Sequence, residues 1–259
     1  MAEDSRERIL QEIYDERGRP GADAFRLAVQ RDGREQITVK QARDFVAKQS
    51  IGQVFRGYIP SDGKVAGGGR EDQRWQMDLI DFSKRIEKIN RGHKYVLVAV
   101  DNFDRTIFTE VMPNKKAETT RTAFEKIIRD NGGDMPKQIT VDNGNEYARL
   151  GSYITERGGV LTRKNMHAVN TLAVVDRVIA KLKVILSSYP GLGRRWAANL
   201  AEATNIYNSN KHTYLMGSAP EDVKESNLLQ YELTKTHGQQ VKHNTEKWEE
   251  KAKKLDNMG

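Results

Sequence analysis

Residues 95–101, Tyr95-Val96-Leu97-Val98-Ala99-Val100-Asp101, form a near-continuous apolar run. An unbroken apolar strand reads as a central one, covered on both faces. The flanking segments fit that demand. Residues 75–82 read as a strand, and so do residues 106–112; the short gap between the second and third runs implies an antiparallel hairpin. Residues 116–130 are helical, with Ala117, Ala123, Phe124, Ile127 and Ile128 on one side and Asn131-Gly132-Gly133 as the stop. A fourth strand ends at Asp142. A helix is expected over residues 145–157, a fifth strand over 160–163 and a long helix over 169–188, where Leu172, Val175, Ile179, Leu182 and Leu186 give the apolar stripe. A further amphipathic helix over 194–210 carries Trp196, Leu200 and Ile206.

Three strands, helix, strand, helix, strand, long helix is the order of an RNase H-like α/β fold: a mixed five-stranded sheet flanked by helices. A small helical N-terminal domain precedes it. There Ile9, Leu10, Ile13 and Tyr14 fall at helical spacing, and Phe25, Leu27, Ala28 and Val29 form a second apolar cluster. Thr38-Val39-Lys40-Gln41 is a capping-box pattern that opens a third helix, with Val39, Ala42, Phe45 and Val46 as its buried stripe and Arg34, Lys40, Arg43 and Lys48 around it. Three short helices with a basic third helix fit either a helix-turn-helix-like DNA-binding module or a cap on the main domain. The expected organisation is a helical segment over 1–59, a Gly-rich linker over 60–73 containing Gly67-Gly68-Gly69, a core over 74–190, a helical extension over 191–235 and a polar charged tail over 236–259.

The chain has 259 residues and a formal net charge of +7. A basic balance favours a polyanionic partner through phosphate neutralisation. There are no cysteines, which excludes disulfides and Cys-ligated zinc. The five histidines form no His-x-x-x-His pair. No apolar stretch approaches the roughly 18–20 residues that span a bilayer, and the opening Met1-Ala2-Glu3-Asp4-Ser5 is unlike a signal peptide. An intracellular protein is expected, without membrane partners.

Three carboxylates lie inside or at the end of apolar runs: Asp78 in Met77-Asp78-Leu79, Asp142 after Ile139-Thr140-Val141, and Asp176 in Val174-Val175-Asp176-Arg177-Val178. A carboxylate in such a setting is costly unless paired or metal-bound, and strand interiors disfavour Asp. Two divalent ions about 3.5–4 Å apart can activate an attacking oxygen and stabilise a leaving one in phosphodiester chemistry, and Mg²⁺ and Mn²⁺ prefer carboxylate and water ligands. By helical phase Asp176 is expected to face the sheet rather than bulk water. Arg177, Lys181 and Lys183 share its helix, a pattern that suits phosphate contacts and equally an ordinary solvated face.

These residues carry a resemblance. Trp75-Gln76-Met77-Asp78-Leu79-Ile80-Asp81, Val98-Ala99-Val100-Asp101-Asn102-Phe103, Thr140-Val141-Asp142-Asn143-Gly144-Asn145-Glu146-Tyr147 and the run from Val174 through Lys183 resemble the core of retroviral-type integrases, most of all those of Polinton/Maverick-like mobile elements. The resemblance spans residues 74–223 and ends on Tyr207-Asn208, His212 and Ala219-Pro220-Glu221-Asp222-Val223. It implies Mg²⁺- or Mn²⁺-dependent 3′-end processing and DNA strand transfer, with two ions held by Asp78, Asp142 and Asp176. It implies DNA as a partner, contacted by Lys40, Arg43, Lys164, Arg177, Lys181 and Lys183, assembly as a homo-oligomer or larger complex, and a nuclear site of action for a eukaryotic mobile-element enzyme. The family's third acid is Glu, and this chain has Asp176. One methylene less shortens the reach by about 1 Å, a displacement that can cost about 10²-fold in rate. The alternative is an integrase fold retained as a nucleic-acid-binding or structural subunit; a nuclease on the same fold is a third class. Among smaller features, Asp81 is a further carboxylate near the sheet, Asp101 fits a turn cap or a group behind the site, Glu146 a ligand oxygen or a solvent-facing acid, His167 a substrate contact or a loop residue, and Trp196 a base-stacking or core residue.

Overall fold

Residues 2–18, 20–49, 74–83, 88–164, 172–188 and 195–256 are described by the computed structural model. The expected linker and His167 lie outside the described residues. At the N-terminus, α1 (Ala2–Glu16), α2 (Ala22–Asp32) and α3 (Val39–Lys48) pack around Leu10, Ile13, Tyr14, Phe25, Val29, Ala42 and Val46. Tyr14, Phe25 and Phe45 form an aromatic trio with centroids 4.8–5.5 Å apart. The capping box at Thr38 is formed, its hydroxyl accepting from the Gln41 N–H and the Gln41 side chain accepting from the Thr38 N–H. Val39 departs from expectation: it is 43% exposed, because the first helical position turns it away from the Ala42 and Val46 stripe.

The main sheet contains β1 (Arg74–Asp81), β2 (Tyr95–Asp101), β3 (Ile107–Met112), β4 (Gln138–Val141) and β5 (Val160–Arg163) in the order β3-β2-β1-β4-β5. Pairing is antiparallel across β1, β2 and β3 and parallel across β1, β4 and β5, so the mixed sheet is as expected. The two-residue period of the strands divides the core. Ile80, Val96, Val98 and Val100 pack on one face against α6 (Ala173–Ser188) and α7 (Leu200–Ser209). Trp75, Met77, Leu97 and Ala99 pack on the other against α4 (Ala117–Asp130) and α5 (Leu150–Thr155). The edge strand β3 is held by α7, where the Asn208 amide pairs with both the N–H and the carbonyl of Ile107 at 2.9 and 3.0 Å.

Two elements differ in extent from the sequence expectation. The helix expected over 145–157 is broken into a 3₁₀ turn (Asn145–Tyr147) and α5, an arrangement that buries Tyr147 together with Leu150, Tyr153 and Ile154. The helix expected from 194 begins at Leu200, since residues 196–199 form turns and the Asn90 side chain accepts from the Ala197 N–H at 3.1 Å. The polar charged segment, expected as a solvated helix or a disordered tail, is helix: after α8 (Pro220–Glu225), α9 (Asn227–Asp256) runs on without interruption. Its first turns are anchored by Leu233 and His237, both buried against the core. No helix among the described residues is long and apolar enough to cross a membrane.

The N-terminal helices rest on the core at Gly18. Its φ of +64° is left-handed, and a Cβ there would lie 2.7 Å from Ile206 and 2.9 Å from Ile185. Lys181 donates to the Gly18 carbonyl at 3.2 Å and Asn210 to the Arg17 carbonyl at 2.9 Å.

Candidate functional site

The pairing of β1 with β4 brings two of the acids together. Arg74 lies opposite Gln138, Trp75 opposite Ile139 and Gln76 opposite Thr140. The same register extended two residues sets Asp78 level with Asp142. The ladder stops before then: β4 ends at Val141, and Asp142 folds into a turn in which its Oδ1 accepts from the Gly144 N–H at 2.9 Å. The turn is fastened to the end of β5. Asn143 donates to the Lys164 carbonyl at 3.1 Å, and Arg163 donates to the Gly144 carbonyl at 3.1 Å. Parallel strands thus deliver Asp78 and Asp142 to one opening in the sheet.

The third acid comes from α6. Asp176 lies in its first turn, and the helix start is docked on β1 by a residue that sequence reasoning missed. Gln76, 7% exposed, accepts from the Val175 N–H through its Oε1 at 3.1 Å. The first N–H groups of a helix have no partner within the helix, so this side chain both satisfies one and fixes where α6 meets β1. The signal was a polar residue two positions before Asp78, on the same strand face, inside an apolar run.

Electrostatics tie the acids together. Asp78 is half-buried. Desolvation pushes its carboxyl up from the ordinary value of 3.8 to about 6; a hydrogen bond from the Leu79 N–H (2.7 Å) opposes this, and the charges of Asp142, Asp176 and Glu146 add to it. Asp176 is raised by partial desolvation and lowered by nearby Lys164. None of Asp78, Asp142, Glu146 and Asp176 forms an ion pair with a described residue. Glu146 folds back over Gly144, its carboxylate about 2.5 Å from where a Cβ on that glycine would stand.

The three predicted acids are neighbours, yet among the described residues no group of three or more His, Cys, Asp or Glu side chains is close enough to hold a metal ion. Asp176 is also exposed rather than turned to the sheet as expected. A short carboxylate in the first turn of α6 leaves Asp176 exposed, although it lies near enough to Asp78 for its charge to raise that carboxyl.

Residues 69–158 match the family model of the integrase core domain. The core of this chain is integrase-like. A transposon-derived protein of Caenorhabditis elegans is 27% identical over 154 residues, covering 56% of this chain and 50% of that protein; this chain thus spans about half the length of that relative. Among solved structures, a chain of the simian T-cell lymphotropic virus intasome is similar in fold, with a TM-score of 0.53 and 19% identity, covering 78% of this chain and 70% of that one. The catalytic core of the BIV integrase aligns with a TM-score of 0.48 and 21% identity over 59% of this chain and 93% of that one.

The basic residues singled out from sequence divide into distinct places around this integrase-like core. Arg177 is exposed beside Asp176, Lys183 is half-buried further along α6, and Lys164 is half-buried at the end of β5. Lys40 and Arg43 are exposed on α3. Lys181 is half-buried, like Lys183, but it donates to the Gly18 carbonyl at 3.2 Å, and burial lowers its ammonium to about 8. Asp101 caps a turn, accepting from the Phe103 N–H at 2.6 Å and from the Trp75 indole at 3.1 Å. Asp81 likewise accepts from the Ser83 N–H at 2.7 Å. Trp196, 2% exposed, stacks on Phe82 at 4.5 Å as a core residue.

Proposed function

We propose that this chain is an integrase- or transposase-type enzyme that processes DNA 3′ ends and joins them to target DNA, using Asp78, Asp142 and Asp176. The observation that carries this proposal is the placement of Asp78 beside Asp142, Asp176 and Glu146, whose charges add to the desolvation that raises its carboxyl, with none of the four in an ion pair with a described residue. Such an all-oxygen donor set fits Mg²⁺ or Mn²⁺. Two ions bound there would activate the attacking oxygen and stabilise the leaving one.

The chain's own residues define the rest. Asp78 is fixed by β1, and Asp142 is fixed by a turn pinned to β5. Gln76 sets the start of α6 so that Asp176 approaches from the side. Lys164 and Arg177 flank Asp176, where phosphate oxygens of a DNA end would lie, and Lys183 continues that basic line along α6. Lys40 and Arg43 on α3 offer a second backbone contact. DNA is the proposed partner, a multimer the proposed working form and the nucleus the proposed compartment.

A second function is favoured by a specific observation: Asp176 is exposed and the acids are not drawn into a metal-holding group. This suits an integrase fold kept as a DNA-binding subunit. Strand-transfer assays on terminal DNA with Mg²⁺ or Mn²⁺ separate the two. Activity that vanishes in Asp78→Asn supports the enzyme. Tight DNA binding without metal-dependent joining supports the subunit.

A further inference from the structure

β3 is an edge strand, and only one of its sides pairs with β2. Across that pairing the Asp101 N–H donates to the Thr106 carbonyl. From the other side the Asn208 amide takes both the N–H and the carbonyl of Ile107. Along an antiparallel strand, successive residues direct these groups to alternate sides. Ile107, Thr109 and Val111 therefore turn their N–H and C=O outward. At Ile107 the two bonds from Asn208 repeat what a neighbouring strand would make. The outward groups of Thr109 and Val111 bond to no described residue.

This open edge lines a cleft between the two helix layers. Ile127 and Asp130 of α4 stand on one side, and Ala201, Thr204 and Asn205 of α7 on the other; the volume is about 330 Å³, at the small end of binding clefts. The lining decides what fits. N–H and C=O groups repeated every second residue along a sheet edge match another extended backbone. Glu110 and Asp130 line the cleft and no Lys or Arg does, so a nucleic-acid backbone meets no counter-charge there. A second copy would bring its own α4 and α7 against these walls, whereas a lone extended segment needs only the spacing of one strand, about 4.8 Å.

We propose that the cleft along β3 is a docking groove for an extended peptide segment of a protein partner, added to the five-stranded sheet at Thr109 and Val111. Asn208 ends the groove at Ile107, where the edge is already satisfied. Side chains of the added strand alternate between two walls. Phe108 and Ile127 favour an apolar residue; Ala201, Thr204 and Asn205 favour a small or polar one. No residue of the groove belongs to the acidic site.

The test is selection of a displayed random heptapeptide library on the full chain, followed by amide hydrogen exchange with the enriched peptide. The expected peptides bind wild type and fail on Ala201→Trp, which fills the cleft from an exposed position. With peptide at about tenfold its Kd, exchange at the Thr109 and Val111 amides should slow about 10-fold. N-methylation of the peptide's backbone amides should abolish binding. No enrichment, enriched peptides that protect other amides, or equal binding to an Ala201→Trp variant that melts like wild type overturns the groove. If Ala201→Trp melts lower, the exchange pattern of wild type decides alone. Thr109 and Val111 amides whose protection rises with protein concentration in peptide-free solution also overturn it, because a second copy then covers the edge.

Discussion

Asp78→Asn should stabilise the metal-free protein, and the size of the effect follows from the site. Asp78 titrates near 6 in the fold against an ordinary 3.8. At about 1.36 kcal/mol per pKa unit, that difference is a penalty of about 3 kcal/mol at most once both states are ionised. Water reaches part of the carboxylate, so screening reduces it to about 1–2 kcal/mol. The sign runs opposite to that of a salt-bridged Asp. A carboxyl with a raised pKa binds more protons folded than unfolded, so its cost is absent below the unfolded value, grows between the two values and is complete above the folded one. Asparagine removes the charge and keeps an oxygen to accept the Leu79 N–H. Melting followed by circular dichroism should therefore show Asp78→Asn several degrees above wild type at pH 8, at roughly 2–4 °C per kcal/mol for a chain of this size. The gain should shrink by about half by pH 5. Added Mg²⁺ should stabilise wild type and close the gap. A variant that melts lower than wild type, or a gain that does not change with pH, would refute the burial of Asp78, and the crowding by neighbouring acids that adds to it.

Three further outcomes follow from the packing. Gly18→Ala must hold a left-handed backbone and push Ile206 and Ile185 aside, and should cost about 1–3 kcal/mol by chemical denaturation. Lys181→Met removes an ammonium engaged by the Gly18 carbonyl, so DNA affinity and its salt dependence should stay at wild-type values in fluorescence anisotropy, whereas Arg177→Ala should lower the salt slope by about 1. Gln76→Leu leaves the buried Val175 N–H without a partner and should cost about 1–3 kcal/mol in stability, with a larger loss in strand transfer than the stability change explains.

The layout of the fold was legible because its strands carry their burial in their composition. The unbroken apolar run of β2 announced a central strand, and the spacing to β3 announced a hairpin. The positions of Asp78 and Asp142 were legible for a related reason: a charged residue in an apolar strand needs an explanation. What sequence did not disclose depends on tertiary contact. Helical phase pointed Asp176 toward the sheet, but in the first turn of α6 its side chain is exposed. Lys181 resembles its neighbours Arg177 and Lys183 in the chain; only the docking of the Gly18 turn on α6 and α7 gives it a backbone partner. Gln76 was hidden because its partner, the Val175 N–H, lies 99 residues away. The sequence left two readings open past residue 236, because a charged, apolar-poor segment gives the same signal for a solvated helix and a tail.

The central claim is that Asp78, Asp142 and Asp176 form one working site whose third member is a methylene short. Strand transfer of a matched DNA end by wild type, Asp78→Asn and Asp176→Glu, with Mg²⁺ and with Mn²⁺, tests it most directly. Wild type should join DNA only with a divalent ion and Asp78→Asn should not. Asp176→Glu, reaching about 1 Å further, should match or exceed wild type by up to about 10²-fold. No metal-dependent joining by either wild type or Asp176→Glu would contradict it.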